Sequence, residues 1–399
     1  MKPLAVLVEI VPEREETLRG VLREIEDDLD GNPFVRFGDS PHTHFARFVI
    51  LSDADNGPRL LFTSDFDGEF GPYLEELAAV TLRPAALWGN CKGYDEGTDL
   101  AEYLRRHSEK NRGTYVAFQD ESVHTVRAKL AIRRKIEDLL DHDRVDEYLG
   151  GRRIYSFLDQ LSSFPPPEMS PWTAFGKAMA AVWAGIGKRL HDGFFGILLE
   201  PPLEIAKRFS NVAIAESFSP VTVFTEDEVA AVPAVRKSVN GQTSFTVYAK
   251  VKPGLRWRLR LAIALLGTSV LAKYGYPPGN FANVFTLWEF RWLWIDGKKR
   301  IVFQSTFDGS WENYMADFIN NLVWALNALY ASCEGYPEGG MADVYRFQRW
   351  ILQHQPQPLV VYNAYPNETV LDFLRDREIS GTLLTGYDRD TVLAWLTLL

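Results

Sequence analysis

Two carboxylates, two arginines and two histidines are the residues of this chain whose types and settings can do chemistry. Asp67 and Asp308 each stand in a Phe-Asp-Gly turn, where a carboxylate can act as acid or base beside a bound cofactor. The same residue can instead bond nearby backbone amides while the glycine takes a positive φ, which is plain turn chemistry. Arg47 and Arg291 lie in alternating strand patterns, and a guanidinium there can hold a carboxylate of a ligand or of the Phe-Asp-Gly loop. Asp308 with Arg291, and Asp67 with Arg47, are therefore the candidate catalytic residues. Trp288, Phe290, Trp292 and Trp294 alternate along one run and so share a face. Such a wall can line an apolar pocket, receive a flat macrocycle, or fill the core between two sheets.

These residues come in pairs because the chain repeats itself. Arg59-Leu60-Leu61-Phe62-Thr63-Ser64-Asp65-Phe66-Asp67-Gly68 returns as Arg300-Ile301-Val302-Phe303-Gln304-Ser305-Thr306-Phe307-Asp308-Gly309, at an offset of 241 (300 − 59). Both cysteines, Cys91 and Cys333, fall in matching stretches. Recurrence in both halves favours the turn reading of the two aspartates, since one chain rarely needs two identical catalytic sites. Histidine is where the halves differ: His44 stands opposite Trp288, and His42 opposite Thr286. If there is a single site, His44 marks its side; a strand histidine can equally be a hydrogen-bonded core residue. His354 falls near the end of a helical stretch, where the choice is between a helix-dipole partner and a cofactor ligand.

The elements that must position these groups follow from periodicity. Strands are expected from Met1 to Glu9, Phe45 to Leu51, Arg59 to Thr63 and Ala85 to Cys91. Helices are expected from Glu13 to Leu29 and Phe70 to Val80. That order, β-α-β-β-α-β, is ferredoxin-like. A helix, strand and helix then extend each half, with the extra strand extending each sheet. The fold class is α+β: two ferredoxin-like repeats packed as an intrachain dimeric α+β barrel, with an inserted helical segment. The expected units are 1–144, 145–240 and 241–399. The middle one carries Phe164-Pro165-Pro166-Pro167 and apolar stretches with interspersed Lys and Arg at Trp172–Leu190 and Phe194–Phe209. Leu255–Ala272 is similar, led by Arg256, Arg258 and Arg260. None of these is long enough to span a membrane, but a basic amphipathic helix can lie on one or pack on its own protein.

The 399 residues carry a net charge of −10, which argues against nucleic acid as a partner. Two cysteines make no disulfide framework, and the apolar run at Met1 is too short for a signal peptide, so a cytoplasmic and optionally membrane-peripheral location is expected. There is no His-x-x-x-His, Cys-x-x-Cys, Gly-x-Ser-x-Gly or phosphate-binding loop, so no metal site is expected.

Thr43-His44-Phe45-Ala46-Arg47-Phe48, Phe307-Asp308-Gly309-Ser310-Trp311-Glu312-Asn313-Tyr314 and Tyr362-Asn363-Ala364-Tyr365-Pro366 resemble motifs of a group of uncharacterised bacterial proteins in the dimeric α+β barrel superfamily. The likeness covers both repeats. It implies distant similarity to dye-decolourising peroxidases, which hold haem between a sheet and helices and use a Gly-x-x-Asp-Gly motif, an Arg and an axial His. Ser64 and Ser305 stand here where that motif has its first Gly. The resemblance thus implies an oxidoreductase acting on an apolar substrate between the repeats, with haem as the cofactor. His44 and His354 would be axial candidates, Asp308 and Arg291 the polar partners, and Trp288 and Trp292 the wall. The alternative is a non-catalytic protein that binds an apolar ligand or a membrane surface.

Overall fold

Alternation builds the sheets. In β1 (Lys2–Glu9) Leu4, Val6 and Val8 enter the larger core, while Ala5 and Leu7 enter a smaller one. The first half continues with α1 (Glu15–Asp27), β2 (Thr43–Leu51), β3 (Arg59–Phe66), α2 (Phe70–Val80), α3 (Pro84–Trp88), α4 (Leu100–Arg106), β4 (Asn111–Val116) and α5 (Val123–Asp141). After a two-residue strand, β5 (Ser238–Val239), the same order returns. It runs β6 (Gln242–Lys250), α6 (Leu255–Tyr274), β7 (Leu287–Ile295), β8 (Arg300–Asp308), α7 (Trp311–Asn321), α8 (Val323–Tyr330), α9 (Val344–Gln353), β9 (Pro358–Asn363) and α10 (Val370–Leu383). This computed structural model describes residues 1–53, 55–141, 238–239, 241–274, 276 and 278–383. The expected helices at Trp172–Leu190 and Phe194–Phe209, and nearly all of the expected 145–240 unit, lie outside the described residues.

The fold is α+β with two antiparallel sheets, ordered β1-β3-β2-β9 and β4-β7-β8-β6-β5. The extra strand does extend a sheet, but in each case that of the other half. β9 pairs with β2, and β4 pairs with β7. At the open edge of β9, the Glu26 carboxylate of α1 accepts the Val361 N–H at 2.8 Å, which blunts an edge open to stray pairing.

The strand expected at Ala85–Cys91 is instead the short helix α3, begun by Pro84, whose fixed φ suits a first helical turn. Cys91 keeps a single bridge to Ile10, and its counterpart Cys333 a single bridge to Val251. The edge of β1 is met by the segment after α4: Leu7 donates to the His107 carbonyl at 3.0 Å, and Glu109 to that of Ala5 at 2.8 Å.

The aromatic wall does not fill the space between the sheets. Phe290 and Trp292 face the helix side, where Trp292 packs on Phe303 and on Tyr330 of α8. The inner faces carry aliphatics instead. Ala5, Val49, Leu51 and Leu61 of one sheet meet Leu293, Ile295 and Val302 of the other.

Candidate functional site

Four charges are buried where the inner faces meet. Arg47 of β2 bonds the Glu289 carboxylate of β7, the Thr306 hydroxyl at 2.7 Å and the Ser305 carbonyl at 3.3 Å. Arg291 of β7 bonds the Asp65 carboxylate of β3, and donates to the carbonyls of Leu4 at 2.9 Å and Ser64 at 3.2 Å. Each arginine thus reaches across to an acid of the opposite half, and two cations and two anions cancel. Burial pushes the Asp65 carboxyl up, against the pull of Arg291 beside it. Near the centre, Thr63 donates to Gln304 at 2.9 Å, and the two stand at matching positions of the sequence repeat. Toward the hairpin turns the reciprocity repeats: Arg59 pairs with Asp296, and Arg300 with Asp53 at 2.9 Å.

The two Phe-Asp-Gly turns share a geometry. Gly68 and Gly309 both have φ of 84°, where L side chains are strained. Asp67 accepts the Val123 N–H at 2.8 Å, and Asp308 accepts the Val370 N–H at 2.7 Å, so each carboxylate caps the first turn of α5 or α10. The amides are not nearby in sequence; each aspartate holds a helix that begins more than fifty residues later.

What stands on the other oxygen differs. Asp67 Oδ1 lies 2.8 Å from His44 Nε2, and His44 Nδ1 lies 2.6 Å from the Tyr365 hydroxyl. Asp308 Oδ1 accepts from the Trp288 indole N–H at 2.6 Å, and Trp288 meets the Phe118 ring instead of a phenol. Burial lowers the His44 pKa despite the adjacent Asp67. Burial alone would raise the Asp67 carboxyl; hydrogen bonding from His44, the charge of that ring and the Val123 N–H bring it below its usual value. Asp308 has no such ring, and burial pushes it up to about 6.

The structure therefore separates groups that the sequence pattern put together. Asp308 and Arg291 have different partners, and so do Asp67 and Arg47. No arginine of this set bonds a Phe-Asp-Gly turn. Asp65, Glu289 and Tyr365 were missed as participants. The available signal was that each acid lacks an acidic counterpart: Asp65 matches Thr306, and Glu289 matches Phe45.

His44 and His354 do not fit a haem. His44 is completely buried, with Asp67 and Tyr365 against its two ring nitrogens, so neither faces a ligand. His354 caps the end of α9, with Nδ1 2.8 Å from the Trp350 carbonyl and its ring stacked on Trp350. Its carbonyl accepts from Tyr248, which lies six residues (248 − 242) along β6 from the position facing Asp308. That is about 20 Å at strand spacing, too far for an axial and a distal group about one iron. Among the described residues, no group of three or more His, Cys, Asp or Glu is placed to hold a metal ion. The cysteines are buried, which pushes the Cys91 thiol up to about 12 and leaves both in the unreactive thiol form.

The outstanding surface feature is on α6. Leu255, Leu259, Ile263, Leu266 and Val270 follow one helical stripe and are all 51–81% exposed, while Leu261 and Leu265 are buried on the opposite face. At the stripe's first turn the Trp257 ring sits under three cations, Lys252 at 4.6 Å, Arg256 at 4.8 Å and Arg260 at 6.0 Å. From Val251 to Trp288 the sequence has no Asp or Glu, in a chain whose net charge is −10. Among the described residues, no helix is long and apolar enough to cross a membrane. Comparison with family models, curated proteins and solved structures finds no match to this chain.

Proposed function

We propose that this chain is a pair of ferredoxin-like repeats packed as an intrachain α+β barrel, and that it serves as a non-catalytic, membrane-peripheral protein that binds anionic lipid through the outer face of α6. The observation that carries the reading is the unbroken stripe Leu255, Leu259, Ile263, Leu266 and Val270, exposed on a helix whose own stretch, Val251 to Trp288, has Lys and Arg but no Asp or Glu. Fully burying one such side chain is worth about 1.5–3 kcal/mol, and a Lys or Arg near an anionic leaflet about 1 kcal/mol. Trp257 at the basic end has the amphipathic body that suits a headgroup boundary. What supports the barrel reading is the repeated strand order, with reciprocal bonds such as Arg59–Asp296 and Arg300–Asp53.

The oxidoreductase reading has less support. The inner sheet faces are occupied by a neutralised charge network and aliphatic side chains, and neither His44 nor His354 is set to hold a haem.

Co-sedimentation of the full chain with vesicles tests the proposal. Vesicles containing phosphatidylglycerol should retain the protein, pure phosphatidylcholine should retain much less, and Ile263→Glu should release it from both. Equal binding to both vesicle types, or none to either, would overturn the reading.

A further inference from the structure

We infer that His44, Asp67 and Tyr365 form an acid-sensitive latch, which ties the segment after β9 to the first half's sheet and loosens it when His44 gains a second proton. Three separate segments meet at this ring. His44 belongs to β2, Asp67 follows β3 and holds the start of α5 through Val123, and Tyr365 follows β9. The backbone joins in, with the Ala364 N–H donating to the His44 carbonyl at 2.9 Å.

The neutral ring serves both partners, with Nε2 toward the carboxylate and Nδ1 accepting from the phenol. A second proton turns Nδ1 into a donor. The Tyr365 oxygen can then accept, but its own hydrogen loses its acceptor in a site walled by Phe45 and Trp288, and a buried hydroxyl without a partner is costly. The charged groups around the ring divide. Asp67 favours the imidazolium, while the Met1 ammonium and Arg127 oppose it; Glu121 acts on the phenol. Burial outweighs Asp67, so the latched ring takes its second proton less readily than a free histidine. The sign follows: latching contributes fully above the ordinary histidine pKa, and that contribution is lost as pH falls through the lower value of the latched ring.

The second half supplies a built-in control. Trp288 replaces His44 and Phe118 replaces Tyr365, while the Ala117 N–H donates to the Trp288 carbonyl at 2.8 Å, as Ala364 does to His44. Neither ring there titrates.

The experiment is amide hydrogen exchange on the full chain at pH 7 and pH 5, corrected for intrinsic rates. Protection at Ala364 should fall between pH 7 and pH 5, by at most about tenfold for each pH unit below the ordinary histidine pKa, while protection at Ala117 should not fall. In His44→Trp/Tyr365→Phe, which copies the second half's pair, the drop at Ala364 should disappear, and in Tyr365→Phe it should shrink to what burial of the ring alone gives. Unchanged protection at Ala364 in the wild-type chain, or an equal loss at Ala117, would overturn the inference without recourse to either variant.

Discussion

Asp67 and Asp308 hold the same backbone position, precede glycines of the same φ and cap equivalent helices, yet their carboxyls are shifted in opposite directions. The difference lies in the ring beside each. Burial acts on both, but His44 sets a ring able to take up a proton 2.8 Å from Asp67, whereas Trp288 offers Asp308 only a neutral N–H. The two turns share a backbone geometry and differ in electrostatics.

Breaking what the halves share should have the largest effect. Arg47→Met and Arg291→Met each strand a buried carboxylate, so each should lose about 3–5 kcal/mol in urea denaturation. Similar losses for the two would sharpen the picture of two reciprocal ion pairs between the sheets; a neutral result for either would break it.

Next come the aspartates. Asp308 has a folded pKa of about 6, above its ordinary value, so the folded state holds its proton longer than the unfolded chain. Its carboxylate therefore costs stability that is absent below about pH 4 and grows as pH rises through 6. Asp308→Asn should remove that cost, leaving the variant on the order of 2 kcal/mol better off at pH 7 than at pH 4, relative to wild type. Asp67→Asn should show the opposite trend, weakening the chain most at neutral pH, where the carboxylate is ionised and paired. Parallel thermal melts across pH 4–8 check both, and curves that move together would erase the distinction between the halves.

The smallest effect on stability should come from α6. Ile263→Ser lies on an exposed face and should change stability by no more than about 0.5 kcal/mol, yet it should weaken retention by anionic vesicles. The equivalent helix α1 turns Glu16, Arg23, Glu24 and Asp27 to solvent, so substitution there should leave vesicle binding untouched.

Much of this architecture was legible. The Phe-Asp-Gly repeat, the strand alternation and the helix at Phe70–Val80 are local patterns, and local patterns report local structure. Pairing between distant segments is not local. Leu359-Val360-Val361-Tyr362 reads as a strand, but nothing in it says whether it joins β7 of its own half or β2 of the other. Arg47 and Arg291 were legible as carboxylate holders, whereas the choice of Glu289 and Asp65 over the Phe-Asp-Gly turns depends on how the sheets face each other. Ala85–Cys91 failed for another reason. Its apolar run is too short for periodicity to tell strand from helix, and Pro84 decided it. The exposed stripe on α6 has the helical period of a core face, so the pattern alone assigned it no side.

The crossed strands set a timetable for synthesis. β2 is complete at Leu51, but its outer neighbour begins at Pro358, so the first sheet waits for about 300 more residues to emerge. At roughly 5–20 residues per second this lasts about 15–60 s. During that interval the β2 edge is bare and can pair with another nascent chain. The first half should therefore mature only after the second is made, and separating the halves should yield fragments that stay trapped by chaperones or pair with each other.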